Sequence, residues 1–292
     1  MNLKSVSFII EYIPDAAAMF CDHFRALRRS VPILPDGFDN LQMIVQKLSN
    51  LRSRFPAFAA FENGRLVGYL GGYILDDLRG LGRKSVYCPE WGHSALPDRK
   101  NEIYRALYHA AAQEWTAQGV RTHALSVLAN DTEARDAWFW NGFGLLVVDA
   151  VRSLAPLHAT PGTDVTIRLA GLEDAQAAAQ LEAEHWQHYT HPPVLMRANP
   201  PDDAAGLREM LSQAGNTLWL AEWRGELAGM LRLETHSHGA ADIVQAEGVA
   251  AVTGLYVRPE ARGLGAAAAM LDAALAHYRT LDYKCCSVDF ES

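Results

Sequence analysis

Cysteine and long apolar runs are both scarce in this sequence, and their scarcity excludes several classes of protein. Only four cysteines occur among 292 residues, and their spacing is typical of neither a zinc site nor a disulfide framework. We therefore expect four reduced, mostly buried thiols. No run of about 20 apolar residues predicts a membrane span, and the first residues lack the zones of a signal peptide. These absences predict a cytoplasmic protein with no membrane partner.

Positively charged residues are also few, and they are unevenly distributed along the chain. Lys and Arg number 26 against 34 Asp and Glu, so the net charge is -8. From Thr160 onward the count is 9 against 18, whereas residues 1–159 carry 17 against 16. Neither half has the basic stripe that nucleic-acid binding needs, so no nucleic-acid partner is expected. The acidic second half favours a cationic or amine-bearing partner, although charge of this kind more often serves solubility.

The same order of predicted elements occurs twice. In residues 1–153 and again in residues 164–292, apolar periodicity and turn residues predict a strand, two helices, a hairpin, a strand, a long helix and a strand. Residues 154–163, with two prolines and a glycine, predict a linker. Each copy mixes an antiparallel hairpin with a crossover helix. The predicted fold class is therefore α/β (α+β), with a mixed central sheet flanked by helices in each of two tandem domains.

The most informative segment runs from Leu255 to Ala267. A predicted strand ends at Val257-Arg258-Pro259, a short polar turn follows, and Gly263 and Gly265 open a helix of small residues. Free N–H groups at the positive end of a helix dipole bind phosphate oxygens, and glycine lets the backbone come close to them. Arg262 adds a positive charge at the same point. The segment predicts a site for the pyrophosphate of a nucleotide-type cofactor.

Two common phosphate-binding motifs do not fit this spacing. The dinucleotide motif needs Gly-x-Gly-x-x-Gly directly after the strand, and the ATP-binding loop needs Gly-Lys-Ser/Thr. Arg262-Gly263-Leu264-Gly265-Ala266-Ala267, after a strand that ends in Tyr-Val-x-Pro, instead resembles the acyl-CoA loop of the GNAT superfamily of N-acetyltransferases. The alternative is an alanine-rich helix that merely begins with glycine.

The first half carries only part of this resemblance. Asn130–Gly144 looks like a later segment of the family, a helix with an aromatic pair that ends at a Gly-Phe, and we expect Trp138 and Trp140 in the core. The corresponding cofactor loop, around Cys88–Arg99, lacks the glycines. Arg79–Gly82 repeats the letters Arg-Gly-Leu-Gly without a small-residue helix after it, and predicts a turn between strands. The resemblance thus implies a first domain with a degenerate loop, and a second with an intact acetyl-CoA loop but without the family's last helix and strands.

The resemblance also implies an activity. The protein would be an N-acetyltransferase that passes the acetyl group of acetyl-CoA, as cosubstrate, to a primary amine of a small molecule or peptide by direct attack in a ternary complex. The alternative is a non-catalytic acyl-CoA-binding sensor or scaffold. An exposed last strand would favour a homodimer that completes the sheet. The implied cofactor-binding residues are Leu255, Tyr256, Val257, Arg262, Gly263, Leu264, Gly265, Ala266 and Ala267.

Direct attack requires a base for the ammonium proton and an acid for the leaving thiolate. Glu247, just ahead of the motif strand, is the candidate base through a water, and Asp289 and Glu291 are alternatives. Each of the three also fits a solvated surface carboxylate. Tyr256 or Tyr283 would replace the acid that the family usually keeps in the missing helix.

Aromatic and histidine side chains cluster between the first two helices of the second copy. His185, His188 and Tyr189 are the candidate acceptor-binding residues, because the resembling region of the family lines the acceptor pocket. With His236 and His238 the two histidines would also allow a metal site. No carboxylate or cysteine spacing accompanies them, so no metal is expected.

Overall fold

The structure, a computed structural model, describes residues 3–197 and 200–291. It contains two compact units. The first comprises the chain up to Leu145 together with Ala241–Ile243, and the second comprises Leu146–Ala240 and the chain from Val244 onward. The first predicted domain extended to residue 153. The units divide earlier, because the strand at 147–153 joins the second sheet.

Strands and helices alternate along both units. The strands are β1 (Lys4–Ser7), β2 (Ala57–Glu62), β3 (Arg65–Gly71), β4 (Tyr73–Leu75), β5 (Ser85–Cys88), β6 (His93–Ala95), β7 (Thr122–Leu125), β8 (Val147–Ser153), β9 (Val165–Leu169), β10 (Thr217–Trp223), β11 (Glu226–Glu234), β12 (Val249–Val257) and β13 (Cys285–Glu291). The helices are α1 (Ile13–Ser30), α2 (Leu41–Arg54), α3 (Lys100–Ala117), α4 (Thr132–Trp140), α5 (Ala175–Tyr189), α6 (Ala204–Ser212) and α7 (Ala266–Thr280). No helix among the described residues is long and apolar enough to cross a membrane.

The first unit contains two short sheets, ordered β1-β2-β3-β6 and β4-β5-β7. Arg79–Gly82 lies between β4 and β5, so the prediction of a turn there is confirmed. Helix α3 begins at Lys100, directly after Arg99, whose guanidinium pairs with Glu62 and Glu102. The approach to α3 therefore contains no glycine turn like the one before α7.

Only one of the two tryptophans predicted in the core lies there. Trp138 is buried, whereas Trp140 is 76% exposed. Residues two apart on a helix point to nearly opposite sides, so helix α4 buries one indole and exposes the other. The prediction for Trp140 is wrong for this reason. All four cysteines are free and buried, as predicted.

The second unit is a six-stranded mixed sheet, ordered β8-β13-β12-β11-β10-β9. Leu231 and Leu233 of β11 pack with α7, while Met230 packs with α5 and α6. Successive residues of a strand face opposite sides of a sheet, so the helices cover both faces. The predicted mixed sheet flanked by helices is confirmed.

Strand β8 closes this sheet from outside the predicted second domain. It runs antiparallel to β13 from Ser153, opposite Cys285, to Val147, opposite Glu291. Strand β13 is therefore an internal strand, so the condition given for a homodimer, an exposed last strand, is not met. The reason given for a homodimer, completion of the sheet by a second copy, disappears with it.

The two parallel strands at the centre of this sheet separate part-way along their length. Strands β12 and β13 pair only from Val249, opposite Cys285, to Val252, opposite Val288. On its other side β12 pairs Val252 with Leu233 but Gly254 with Arg232, so Thr253 is an extra residue. A bulge of this kind bends a strand and increases its twist. Strand β12 thus leaves β13 at Thr253, and the place where the two strands part is called the cleft below.

Proline substitutions in β8 test its place at the edge of the sheet. Adjacent residues of an antiparallel strand point their N–H groups alternately toward and away from the partner. Of Ala150→Pro and Val151→Pro, one should destabilise the second unit by about 1–3 kcal/mol and the other should be tolerated. Urea unfolding measures the difference. Two equally tolerated substitutions would show that β8 does not pair with β13.

Acid should destabilise the first unit through His93. Its ring donates to the carbonyl of Ser126 at 2.7 Å and lies 3.1 Å from the hydroxyl of Tyr104. The ring is neutral in the native state because burial lowers the pKa of His93 to about 4. The unfolded chain takes up this proton near pH 6.5 and the native state does not, so the unfolding free energy falls by up to about 3 kcal/mol between pH 6.5 and 4. In His93→Gln the pH dependence of chemical unfolding should weaken, and an unchanged pH dependence would contradict the role of His93.

Candidate functional site

The loop between β12 and α7 has the backbone that its glycines predict. Strand β12 ends at Val257, a single 3-10 turn covers Pro259–Ala261, and helix α7 begins at Ala266. Between them Gly263 and Gly265 take φ values of +78° and +76°. These values lie in the left-handed region, which glycine adopts without strain. The loop conformation therefore depends on glycine at both positions.

Unpaired backbone donors are concentrated in this loop. The amides from Gly263 to Ala268 donate no hydrogen bond to any residue that the structure describes. Helix α7 is 15 residues long, and the bonds of its first turn begin with the amide of Ala269 on the carbonyl of Gly265. Arg262 is exposed beside these amides and donates from Nε to the carbonyl of Val257 at 2.9 Å. The loop thus brings together several donors and one fixed cation, the arrangement that binds phosphate oxygens.

The predicted linker packs against the same loop. The amide of Gly162 donates to the carbonyl of Leu264 at 2.8 Å. A Cβ at Gly162 would lie 2.9 Å from that carbonyl oxygen, and one at Gly265 would lie 3.1 Å from the carbonyl oxygen of Thr160. Two backbones meet here at a distance that only glycine allows. The linker therefore forms one wall of the loop.

Helix α7 holds the linker in place through Asp272. Its carboxylate accepts from the amides of Leu157 at 2.8 Å and Ala159 at 3.1 Å, and these bonds lower the pKa of Asp272. Arg279 adds a bond to the carbonyl of Leu154. The sequence contains no signal for Asp272, since its partners are backbone groups.

A chain of charged groups lies beside the bulge, on the face of the sheet that α5 and α6 cover. Thr253, the extra residue of β12, donates from Oγ1 to Glu234 Oε1 at 2.7 Å. Glu234 Oε1 lies 2.9 Å from Arg232 Nε, and Arg232 Nη1 donates to Asp202 Oδ2 at 2.5 Å. These groups follow one another from the bulge toward the segment before α6.

Helix α5 adds two buried polar side chains to this region. Glu182 and His185 are each 5% exposed. Burial raises the pKa of Glu182, and the nearby charge of Arg232 offsets part of the rise. Burial lowers the pKa of His185 to about 4, and its Nε2 lies 3.0 Å from the hydroxyl of Tyr189. The imidazole is therefore neutral at neutral pH.

The predicted acceptor residues are only partly brought together. The ring of His185 lies 3.6 Å from the point where Gly254, next to the bulge, would carry a Cβ. Tyr189 contacts His185, with ring centroids 4.8 Å apart, whereas His188 is exposed. No group of three or more metal-ligating side chains occurs among the described residues.

The candidate base Glu247 lies away from the bulge. Glu247 is exposed in the turn before β12, at the end of the strand that is still paired with β13. At about 3.3 Å per residue, the bulge at Thr253 lies about 20 Å farther along the strand. Glu247 therefore does not reach the cleft. Its nearness to the motif in sequence is distance along an extended strand.

The remaining catalytic candidates have other partners. Asp289 accepts from the hydroxyl of Ser237 at 3.0 Å. Tyr256 is buried against His185, and burial, followed by the charge of Glu184, raises its pKa. Tyr283 packs on Tyr278 near the start of β13, away from the cleft. The side chain of Glu291 lies outside those described.

Sequence reasoning missed Glu182, Arg232 and Glu234. Glu182 stands three residues before His185, and residues at this spacing share one face of a helix. Arg232 and Glu234 alternate with buried leucines and so share one face of β11. A polar face of a strand next to a polar face of a helix is a signal that the sequence contains.

A family model matches one continuous region of the chain. Residues 178–291 match the model of the Acetyltransferase (GNAT) family. This region is a GNAT acetyltransferase domain. The GNAT domain contains the glycine loop, the cleft and the charged groups beside the bulge. No curated protein has a significant sequence match to the chain.

Solved structures of low identity share the fold over nearly the whole chain. A GCN5-related N-acetyltransferase from Sphaerobacter thermophilus has a TM-score of 0.58 and 15% identity, over 99% of this chain and 87% of that one. The glucosamine N-acetyltransferase region of a fungal multi-domain β-N-acetylglucosaminidase has a TM-score of 0.55 and 14% identity, over 98% of this chain. The present chain covers 35% of that fungal protein.

Removing the carboxylate of Asp272 tests whether helix α7 braces the linker. In Asp272→Ala the amides of Leu157 and Ala159 lose their acceptor, so both should exchange with solvent deuterium faster than in the wild type. Hydrogen exchange resolved at single amides measures this. Glu209→Ala removes an exposed carboxylate from α6 and should leave both rates unchanged. Unchanged rates in Asp272→Ala would contradict the bracing role.

Proposed function

We propose that the protein is an N-acetyltransferase that transfers the acetyl group of acetyl-CoA to a primary amine by direct attack in a ternary complex. The observation that carries this proposal is the junction of two features in the GNAT domain. Strand β12 leaves β13 at Thr253, and the same strand runs directly into a loop with unpaired amides from Gly263 to Ala268. A cleft and an anion site thus lie at the two ends of one short segment.

The loop residues fit the pyrophosphate of acetyl-CoA. Amides from Gly263 to Ala268 and the guanidinium of Arg262 supply donors and charge. A Cβ at Gly263 would have no heavy atom within 4 Å, so the loop is open where a phosphate would approach. In the proposal Arg262, Gly263, Leu264, Gly265, Ala266 and Ala267 bind the pyrophosphate.

The open edge of β12 fits the pantetheine arm. From Thr253 to Val257 the strand has no described partner on the side of β13. Backbone groups on such an edge need hydrogen bonds, and the amides of an extended chain can supply them, as an added strand would. We assign this role to the main chain of Leu255, Tyr256 and Val257. The thioester then lies at the bulge, where an amine can approach from the side of α5.

The charged groups beside the bulge support a cationic acceptor. Three carboxylates, those of Asp202, Glu182 and Glu234, stand against the single guanidinium of Arg232 in this region. An excess of negative charge in a partly buried site attracts an ammonium group. The acceptor of the proposal is therefore a small molecule or peptide with a primary amine.

We place one acetyl-CoA on each chain, since α3 of the first unit has no glycine turn before it.

Calorimetry with acetyl-CoA tests the cofactor site. The wild type should bind one equivalent per chain, and Gly265→Trp should weaken binding by about tenfold or more, because the indole fills the loop. Gly82→Trp is the matched control, since Gly82 ends the same tetrapeptide in the first unit and also has a positive φ. It should bind as the wild type does. Equal binding of acetyl-CoA by all three proteins would contradict the assignment of the cofactor site.

Thiol release from acetyl-CoA over a panel of primary amines tests turnover. Release that depends on an amine is the expected result. Binding of acetyl-CoA without release on any amine would contradict the enzyme proposal and favour the acyl-CoA sensor or scaffold.

A further inference from the structure

Two buried polar atoms on the same face of α5 have no hydrogen-bond partner among the described residues. They are Oε2 of Glu182 and Nδ1 of His185. The other polar atom of each side chain is engaged, since Trp186 Nε1 donates to Glu182 Oε1 at 3.0 Å and His185 Nε2 lies 3.0 Å from the hydroxyl of Tyr189. An unpaired buried polar atom costs free energy, so each one in a native structure calls for an explanation. Two of them, three residues apart on one helix, point to a ligand.

The position of these atoms identifies the part of the site that they serve. His185 packs against Gly254, the residue after the bulge. Glu182 lies close enough to Arg232 and Glu234 to feel both charges, and Glu234 is bonded to Thr253 at the bulge. Both unpaired atoms therefore lie on the α5 side of the point where β12 leaves β13. In the proposed function this is the side from which the acceptor approaches.

We propose that Glu182 Oε2 and His185 Nδ1 bind the reacting nitrogen of the acceptor, and that Glu182 takes the proton from its ammonium group. The assignment rests on the proposed acetyltransferase function. A primary ammonium fits these two atoms because it carries three N–H donors, one for each acceptor and one to spare. In this proposal Nε2 of the neutral His185 donates to the hydroxyl of Tyr189, so Nδ1 is the acceptor, and the carboxylate of Glu182 neutralises the positive charge of the ammonium.

The groups around Glu182 explain how it accepts this proton and later releases it. Arg232 and Glu234 face it from β11, Asp202 from the segment before α6, and Trp186 from its own helix. Burial makes the charged carboxylate less favourable, while Arg232 keeps part of that charge stable. A carboxyl group whose pKa is raised toward the working pH exchanges protons more easily with an amine.

The transfer balances in atoms and electrons. The carboxylate of Glu182 takes one proton from R–NH₃⁺ and leaves R–NH₂. The nitrogen lone pair then forms the N–C bond to the thioester carbonyl, and the C–S bond breaks with its electron pair on sulfur. A second proton leaves the nitrogen and ends on the thiolate, which gives the CoA thiol. Glu182 returns its proton to solvent, so one amide, one thiol and one proton are formed.

The test uses the full chain, acetyl-CoA and a panel of primary amines made up of spermidine, tyramine, L-lysine and glucosamine. With the amine that the wild type acetylates fastest, Glu182→Gln should lower kcat/KM at neutral pH by about 100-fold or more. Its pH profile should also lose the fall on the acid side, where the wild type protonates Glu182. Glu182→Asp keeps a carboxylate, so its kcat/KM should be higher than that of Glu182→Gln. Its kcat/KM should still fall on the acid side, but at a different pH from the wild type. Glu209→Gln, an exposed change of equal charge on α6, should change neither.

Binding of acetyl-CoA separates this assignment from the proposed function. Glu182→Gln should bind acetyl-CoA as the wild type does, because the proposal assigns the pyrophosphate to the loop amides and Arg262 and not to Glu182. If Glu182→Gln binds acetyl-CoA and its kcat/KM still falls on the acid side as in the wild type, the role of Glu182 is refuted and the acetyltransferase proposal stands. If the wild type binds acetyl-CoA and acetylates none of the amines, both are refuted. If Glu182→Gln does not fold, Glu182→Asp is the test of the role. A fall of its kcat/KM on the acid side that is identical to that of the wild type would then refute the role of Glu182.

Discussion

The extra residue at Thr253 is the constraint on which the second unit depends. A parallel pair of strands normally stays hydrogen-bonded along its length. Here β12 has one more residue than β11 in the stretch where the two strands pair. Strand β12 therefore turns away from β13 after four residue pairs. The same residue directs its hydroxyl to Glu234. One insertion in a strand therefore opens the sheet and also anchors the charged groups beside the opening.

The glycine loop owes its conformation to contacts on two sides. Left-handed φ values at Gly263 and Gly265 turn the chain into α7, and the linker at Thr160–Gly162 lies in backbone contact behind them. Asp272 fixes the linker in turn. Donors that are held in place before an anion arrives lose little entropy when it binds. The segment between the two predicted domains is thus a structural part of the loop.

Local chemistry decides which features the sequence predicts well. The glycine loop was predictable because its strand, turn and helix are adjacent, and the same four letters at Arg79–Gly82 form a plain turn because no such helix follows. Glu247 lies far from the bulge because an extended strand separates neighbours in sequence by a long distance. The pairing of β8 with β13 leaves no local signal, since its partners are far apart in the chain. Trp140 was misjudged because an aromatic pair two residues apart on a helix cannot be buried on one side.

The membership of β8 in the second sheet sets an order for folding. Ser153 pairs with Cys285, so the partners are separated by almost half of the chain. Contacts of such high sequence separation form slowly, because a long loop must close before they contribute free energy. During synthesis β8 must wait as an unpaired strand until β13 has been made. The first unit can fold in that interval.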